Sequence, residues 1–244
     1  MMTKNKYKKT IYLYGDDIGR VDYVDHVGSD LTVVNSARAS FGVEREDLDD
    51  RDKKLIKYLV EHKHTSTLEH CFISFRMVVP LFIRSQHHRH RTWSYNEISR
   101  RYTEVNLELY EPEEFRTQHK SNRQASNDEL INPALHSGIR ARTAVILHHI
   151  ESVELFNQMV EAGVCREQAR GVLPQNLYST YWASTNLNNL MKFIGLRLHD
   201  GAQWEIQQVA KACLEIAKDL YPITTQAFID CMDDEELKEK FRNV

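Results

Sequence analysis

CFISFRMVV, the run from Cys71 to Val79, is rich in aromatic and β-branched residues, and Pro80 follows it directly. It reads as a strand that ends where proline withholds a backbone donor. Upstream, Lys8 to Tyr14 and Val21 to Val27 are two further strand-like runs, separated by Gly15, Asp16, Asp17 and Gly19, which read as a turn. Downstream, YSTYWAS, Tyr178 to Ser184, is the remaining candidate strand. Helical spacing fills Leu31 to Ala39, Leu81 to His90, Leu187 to Leu198 and Ala202 to Leu220, the last closed by Pro222. It is clearest from Asp47 to His62, where Leu48, Leu55, Ile56, Leu59 and Val60 share a face and acidic residues crowd the N-terminal end. A short helix is expected from Arg166 to Leu173, stopped by Pro174. A long one is expected from Asp128 to Ala162, broken near Pro133 and capped at Gly163. Arg91 to Tyr102 has no clean periodicity and reads as a binding loop, and Pro112 to Ser126 as a surface excursion. The class is α+β: a single helix-rich domain, 1-244, around a small, mostly antiparallel sheet.

Composition excludes several functions. The 244 residues are 41% hydrophobic and 27% charged with 9 Gly and 5 Pro, which rules out collagen-like and largely disordered chains. Lys and Arg number 32 against 35 Asp and Glu, a net charge of −3, so no global field draws the chain to nucleic acid or an anionic membrane. Ile11 to Tyr14 is too short for a signal-peptide core. Met77 to Ile83, interrupted by Pro80, falls far short of the ~20 residues a spanning helix needs. Cys71, Cys165, Cys213 and Cys231 form no C-x-x-C pair, which argues against a zinc ribbon or a thioredoxin-type motif and suits a reducing, cytoplasmic setting.

Against this slightly acidic background, Arg84, His87, His88, Arg89, His90, Arg91, Arg100 and Arg101 form a dense local knot. Forked guanidinium donors match phosphate oxygens in pairs, so the knot suits a nucleotide or another phosphorylated small ligand. Gln86, Ser94, Asn96, Glu97 and Ser99 are interleaved to read ring edges, and Trp93 and Tyr95 to pack against a ring. The bland reading of the same residues is a solvated basic face or arginines paired with the protein's own acids.

RHRTWSYNEISRR, Arg89 to Arg101, resembles the motif of the flavin-dependent thymidylate synthases, in which R-H-R is followed after seven residues by Ser, here Ser99. Other segments similar to that family stand in order along the chain: ARASF from Ala37, HKHTSTLEH from His62, ARGVLP from Ala169, FIGLR from Phe193 and AQWEIQ from Ala202. The resemblance implies methylation of dUMP to dTMP, with methylenetetrahydrofolate as carbon donor, NADPH as reductant and FAD as hydride carrier, in a homotetramer. Carried over by position, it implies flavin contacts at Ser66, Arg89, His90, Arg91, Glu97, Asn186, Leu187, Asn188 and Lys192. It implies a uracil-nucleotide site from Gln86, His87, His88, Arg89, Glu97, Ile98, Ser99, Arg100, Arg101 and Arg170. Arg197 resembles the arginine that polarises the pyrimidine, and a cation there would stabilise the negative charge that builds when C5 is activated. Ser99 is expected beside Arg197 in the catalytic set, touching the nucleotide through its hydroxyl; no His or Asp stands at a triad spacing to make it a nucleophile.

No cysteine follows a proline, as it does in the classical thymidylate synthases, so all four read as structural and the flavin route needs no enzyme thiolate. The histidines lack metal-ligand spacing, and no metal site is expected. His64 and Ser66 are expected near the flavin, with Glu69 capping the local turn. Arg100, Lys192 and Gly201 depart from the residues common in relatives, with Lys192 still able to reach a phosphate. The alternative from another class is a noncatalytic nucleotide- or RNA-binding protein that uses Trp93 and Tyr95 as stacking surfaces.

Overall fold

A computed structural model describes residues 7–99 and 107–244. Its centre is a five-stranded antiparallel sheet formed by β1 (Thr10–Tyr12), β2 (Arg20–Val27), β3 (Phe72–Pro80), β4 (Ser94–Glu97) and β7 (Tyr178–Asn186), in the spatial order β1-β2-β3-β7-β4. Nine residue pairs, Phe72↔Asn186 to Pro80↔Tyr178, zip β3 to β7. The strand alternation decides what each face does. Ile73, Phe75, Met77, Tyr181 and Ala183 point into the core, while Arg76 and the half-exposed Trp182 oppose one another on the other face.

Helices cover the inner face: α6 (Leu187–Arg197), α7 (Trp204–Leu220) and α8 (Pro222–Asp230) bury Phe193, Ile194, Ile206, Val209 and Ile229 against it. α1 (Asp30–Arg38) and α2 (Asp50–Glu61) close one end. Asp30 is buried there, and its carboxylate accepts from Ile223 N, Thr224 N and Thr224 Oγ1, tying α1 to the first turn of α8. One apolar cluster runs from Leu13 to Phe241 on the closing helix α9 (Glu235–Arg242). Pro222 both ends α7 and begins α8, a position where its missing N–H costs nothing.

α+β is the observed class, but three local expectations fail. Arg91 to Tyr102 is not wholly a loop: Ser94–Glu97 is the edge strand β4, pairing Tyr95 with Ala183. An edge strand with one solvated face keeps polar residues at alternate positions, which hides it in the sequence. The helix expected from Asp128 begins only at Ala141, as α4 (Ala141–Glu161). Residues Ser126–Ile131 instead form β6, pairing in a hairpin with β5 (Phe115–Gln118) inside the expected surface excursion. The short helix from Arg166 is α5 (Arg166–Ala169), tightening into a 3-10 turn at Arg170–Val172.

Candidate active site

α3 (Leu81–His87) starts at Pro80, whose φ of −61° lets the chain leave β3 straight into a helix. Its first N–H groups are satisfied across the chain, Leu81 N by Leu177 O at 3.0 Å and Phe82 N by Gln175 O at 3.2 Å. The turn that follows is pinned from β4: the Tyr95 hydroxyl serves the carbonyls of His87 at 2.9 Å and His90 at 3.0 Å. Arg89 and Arg91 stand exposed on that turn, their guanidiniums without a hydrogen bond among the described residues.

Arg197, the last residue of α6, reaches this turn. Its Nε donates to His90 Nε2 at 3.0 Å and its Nη2 to the Gln86 carbonyl at 3.3 Å. Accepting from a guanidinium requires a free lone pair, so the His90 ring is neutral and protonated at Nδ1. Burial and the Arg197 cation accordingly push the His90 pKa down to about 4. Burial also lowers the Arg197 pKa, though a guanidinium remains charged at neutral pH. On the other side, Gln86 Nε2 donates to Gln203 Oε1 at 2.5 Å, so the start of α7 joins the same network.

A cavity of about 520 Å³ gathers Glu97, Ile98, Ser99 and Arg170 of the expected nucleotide set, together with Arg84 and Ser179. Glu97 Oε1 accepts from Ser179 Oγ at 2.5 Å and lies 3.3 Å from Arg84 Nε. A larger cavity of about 1030 Å³ has Asn188, Lys192, Thr65, Lys57 and Lys63 in its wall, with Glu61, Asp230, Asp233 and Asp234 also lining it. Ser66, exposed, follows Thr65 on the 3-10 turn Thr65–His70. Of the expected residues, Gln86, His90 and Arg197 meet in one hydrogen-bond network, Glu97, Ile98, Ser99 and Arg170 line the smaller cavity, and Asn188 and Lys192 the larger, while Arg100 and Arg101 lie outside the described residues.

Some of them have a structural duty that the sequence does not reveal. His87 is fully buried; its Nδ1 shares a hydrogen bond with the Tyr181 hydroxyl at 3.0 Å, and burial, reinforced by His90, His88 and Arg197, holds its pKa well below the usual range. His88 packs against Tyr95 with ring centroids 4.1 Å apart and the planes tilted by 34°. Leu187 is fully buried and its backbone N donates to Cys71 O at 2.9 Å, so its duty in the chain is to join the start of α6 to the sheet. Asn186 caps α6 by accepting from Asn189 N at 2.9 Å. Glu69 does not cap its own turn but accepts from Asn188 Nδ2 at 2.8 Å. Trp93, expected to pack on a ligand ring, is 5% exposed and sits among Phe75, His87 and Phe193. That removes one of the two stacking surfaces, Trp93 and Tyr95, on which the RNA-binding alternative depends.

Gln203, Ser179 and Thr65 escape the sequence reading. Gln203 stands inside AQWEIQ, and Ser179 shares the inward alternation of β7 with Tyr181, so both carry a usable signal. The buried thiols are poor nucleophiles: burial raises the Cys71 pKa to about 12 and pushes Cys213 higher still. Among the described residues, no group of three His, Cys, Asp or Glu has metal-binding geometry, and no helix is long and apolar enough to cross a membrane.

Arg84 and Arg170 line one cavity, Lys57, Lys63 and Lys192 stand at the other, and Arg197 reaches the His90 turn, an arrangement suited to an anionic small molecule. Comparison with known proteins narrows the class. Residues 22–223 match the family model described as thymidylate synthase complementing protein. The flavin-dependent thymidylate synthase of Thermus thermophilus is 41% identical over 212 residues, 87% of this chain and 76% of that protein. That of Thermotoga neapolitana is 38% identical over 213 residues, 87% and 92% of the two chains. Among solved structures, the UMP/dUMP methylase PolB from Streptomyces cacaoi, bound with 5-Br dUMP, superposes with a TM-score of 0.75 at 31% identity, covering 90% of this chain and 97% of that one. The chain belongs to the flavin-dependent thymidylate synthase family.

Proposed function

We propose that this protein converts dUMP to dTMP, drawing the one-carbon unit from methylenetetrahydrofolate and two electrons from NADPH by way of FAD. The observation that carries the reading is Arg197, a partly buried guanidinium aimed by two acceptors, His90 Nε2 and Gln86 O. Held in that way, it retains N–H donors for a pyrimidine carbonyl and adjacent nitrogen, where negative charge develops as C5 becomes nucleophilic. The donors need no reorganisation at the moment of reaction because protein acceptors already fix the guanidinium plane. The raised thiol pKa values of Cys71 and Cys213 accord with chemistry that uses no enzyme cysteine.

The residues present suit a flavin dinucleotide. Arg89 and Arg91 are exposed guanidiniums on one turn, matched to a pyrophosphate, and Asn188 and Lys192 face a cavity of about 1030 Å³. When bound, the flavin supplies a hydride. His90 serves this side through Nδ1–H, its Nε2 being occupied by Arg197. Glu97 and Ser99 face the nucleotide from the smaller cavity opposite Arg170, with Ser99 touching it through a hydroxyl. Arg100 and Arg101 complete the expected nucleotide set, and Ser66, Asn186 and Leu187 the flavin set.

The enzyme works as a homotetramer in the cytoplasm, with no nucleic-acid or membrane partner. Outward apolar residues on α4 and β6 support association of copies. The test is direct: purified protein reconstituted with FAD should oxidise NADPH and form dTMP when dUMP and methylenetetrahydrofolate are supplied, and Arg197→Ala should lose about 10²–10³-fold in kcat, with Arg197→Lys recovering part. Wild-type protein that forms no dTMP under anaerobic assay, or an Arg197→Ala enzyme of undiminished rate, refutes it.

A further inference from the structure

Arg84, counted in the basic knot but in neither the flavin nor the uracil-nucleotide set that the family resemblance implies, lines the same cavity of about 520 Å³ as Arg170 and Ser99. Arg170 stands exposed, its guanidinium without a hydrogen bond among the described residues. One guanidinium therefore comes from α3 and another from the turn at Arg170, with the Ser99 and Ser179 hydroxyls also lining the space. The carboxylates in the wall are Glu97 and Glu167. Glu97 is already engaged, accepting from Ser179 Oγ at 2.5 Å and lying 3.3 Å from Arg84 Nε.

Arg84 is underused in this arrangement. Its Nε is buried without a hydrogen bond, and no hydrogen bond among the described residues uses the rest of the guanidinium. A part-exposed ion pair contributes little by itself, and a buried donor left unpaired is unfavourable. With Nε held against Glu97, the Nη groups are the donors that a multiply charged anion entering the cavity would engage, because a phosphate offers several oxygens to forked donors. We propose that Arg84 is a second phosphate-binding residue, facing Arg170, and that it makes the enzyme discriminate for the 5′-phosphate of the pyrimidine nucleotide. The assignment rests on a uracil nucleotide occupying this cavity.

Holoenzyme titrated with dUMP and with deoxyuridine, which lacks the phosphate, separates the roles. Arg84→Ala should weaken dUMP binding by about 10- to 100-fold and Arg84→Lys by less, since an ammonium keeps the charge but not the fork. Deoxyuridine affinity should change by less than about threefold, and kcat at saturating dUMP by a similarly small factor. If Arg84→Ala is poorly folded by circular dichroism, Arg84→Gln gives the same comparison with the side-chain volume kept. Equal losses for dUMP and deoxyuridine would show that Arg84 merely sets Glu97 or the local fold, and unchanged dUMP affinity would remove it from the site; either overturns the proposal. An active wild type with such variants refutes the Arg84 role alone, whereas a wild type that neither binds nor methylates dUMP refutes the nucleotide reading with it.

Discussion

The two flanks of the molecule treat their apolar residues in opposite ways. Between the sheet and α6 to α8, Phe75, Phe193 and Ile194 are fully buried, and His87 at the end of α3 is drawn into the same interior. On α4 and β6, Leu147 (47%), Ile150 (57%), Leu155 (46%) and Leu130 (48%) face outward. The first region completes itself within one chain. The second presents apolar side chains that the described residues leave uncovered, which suits the proposed association of copies. Site geometry is therefore inherited from the saturated region, and the proposed assembly from the unsaturated one.

The comparison breaks most easily at Phe75. Phe75→Ala empties a core position facing Trp93 and should lower unfolding free energy by about 3–5 kcal/mol in urea titration. A loss under about 1 kcal/mol would mean that the inner layer is loosely packed after all.

Acid should find the same region next. The His87 and His90 pKa values lie below those of an unfolded histidine, that of His90 at about 4, so the unfolded chain takes up protons the native state refuses. Their contribution is whole above about pH 6.5 and declines as pH falls toward 4, with the urea midpoint dropping accordingly. His90→Gln should flatten part of that slope, and a midpoint as steep as wild type would contradict the neutral ring inferred from Arg197.

A smaller effect sharpens the picture at the margin of the core. α2 ends with Lys63 N donating to Val60 O and His64 N to Leu59 O, a closure that puts Lys63 at φ +57°, where a side chain is strained. Lys63→Gly should raise stability by about 0.5–1 kcal/mol, read as a higher melting temperature; a fall would show that the lysine holds a compensating contact. Smallest for the single chain is Ile150→Glu on α4. It should alter the stability of the isolated protomer by no more than about 0.5 kcal/mol, yet reduce the sedimenting mass. An unchanged mass would move the subunit contact elsewhere.

Sequence legibility follows the same division. Where Ile73, Phe75 and Met77 alternate, or Ile206, Val209, Ala210 and Cys213 recur at helical spacing, one-sided burial writes the pattern plainly. From Ser126 to Ile139, Leu130, Ile131, Leu135 and Ile139 are all substantially exposed, so no inward face imposes a period, and a hairpin strand reads as the start of a helix. The RHR-to-Ser99 spacing makes the site's neighbourhood readable. Arg84's unused donors, Gln203's bond to Gln86 and the burial of Trp93 are not legible, because each depends on which elements distant in sequence meet or on which way a side chain turns.

β7 lies between β3 and β4 in the sheet, although roughly a hundred residues separate the end of β3 at Pro80 from the start of β7 at Tyr178. During synthesis the ribosome must therefore deliver most of the polypeptide before the middle of the sheet has its missing strand. Until then β4 has no ladder to join and the nascent edge of β3 stays bare, a window in which chaperone protection matters more than the finished protein's stability would suggest.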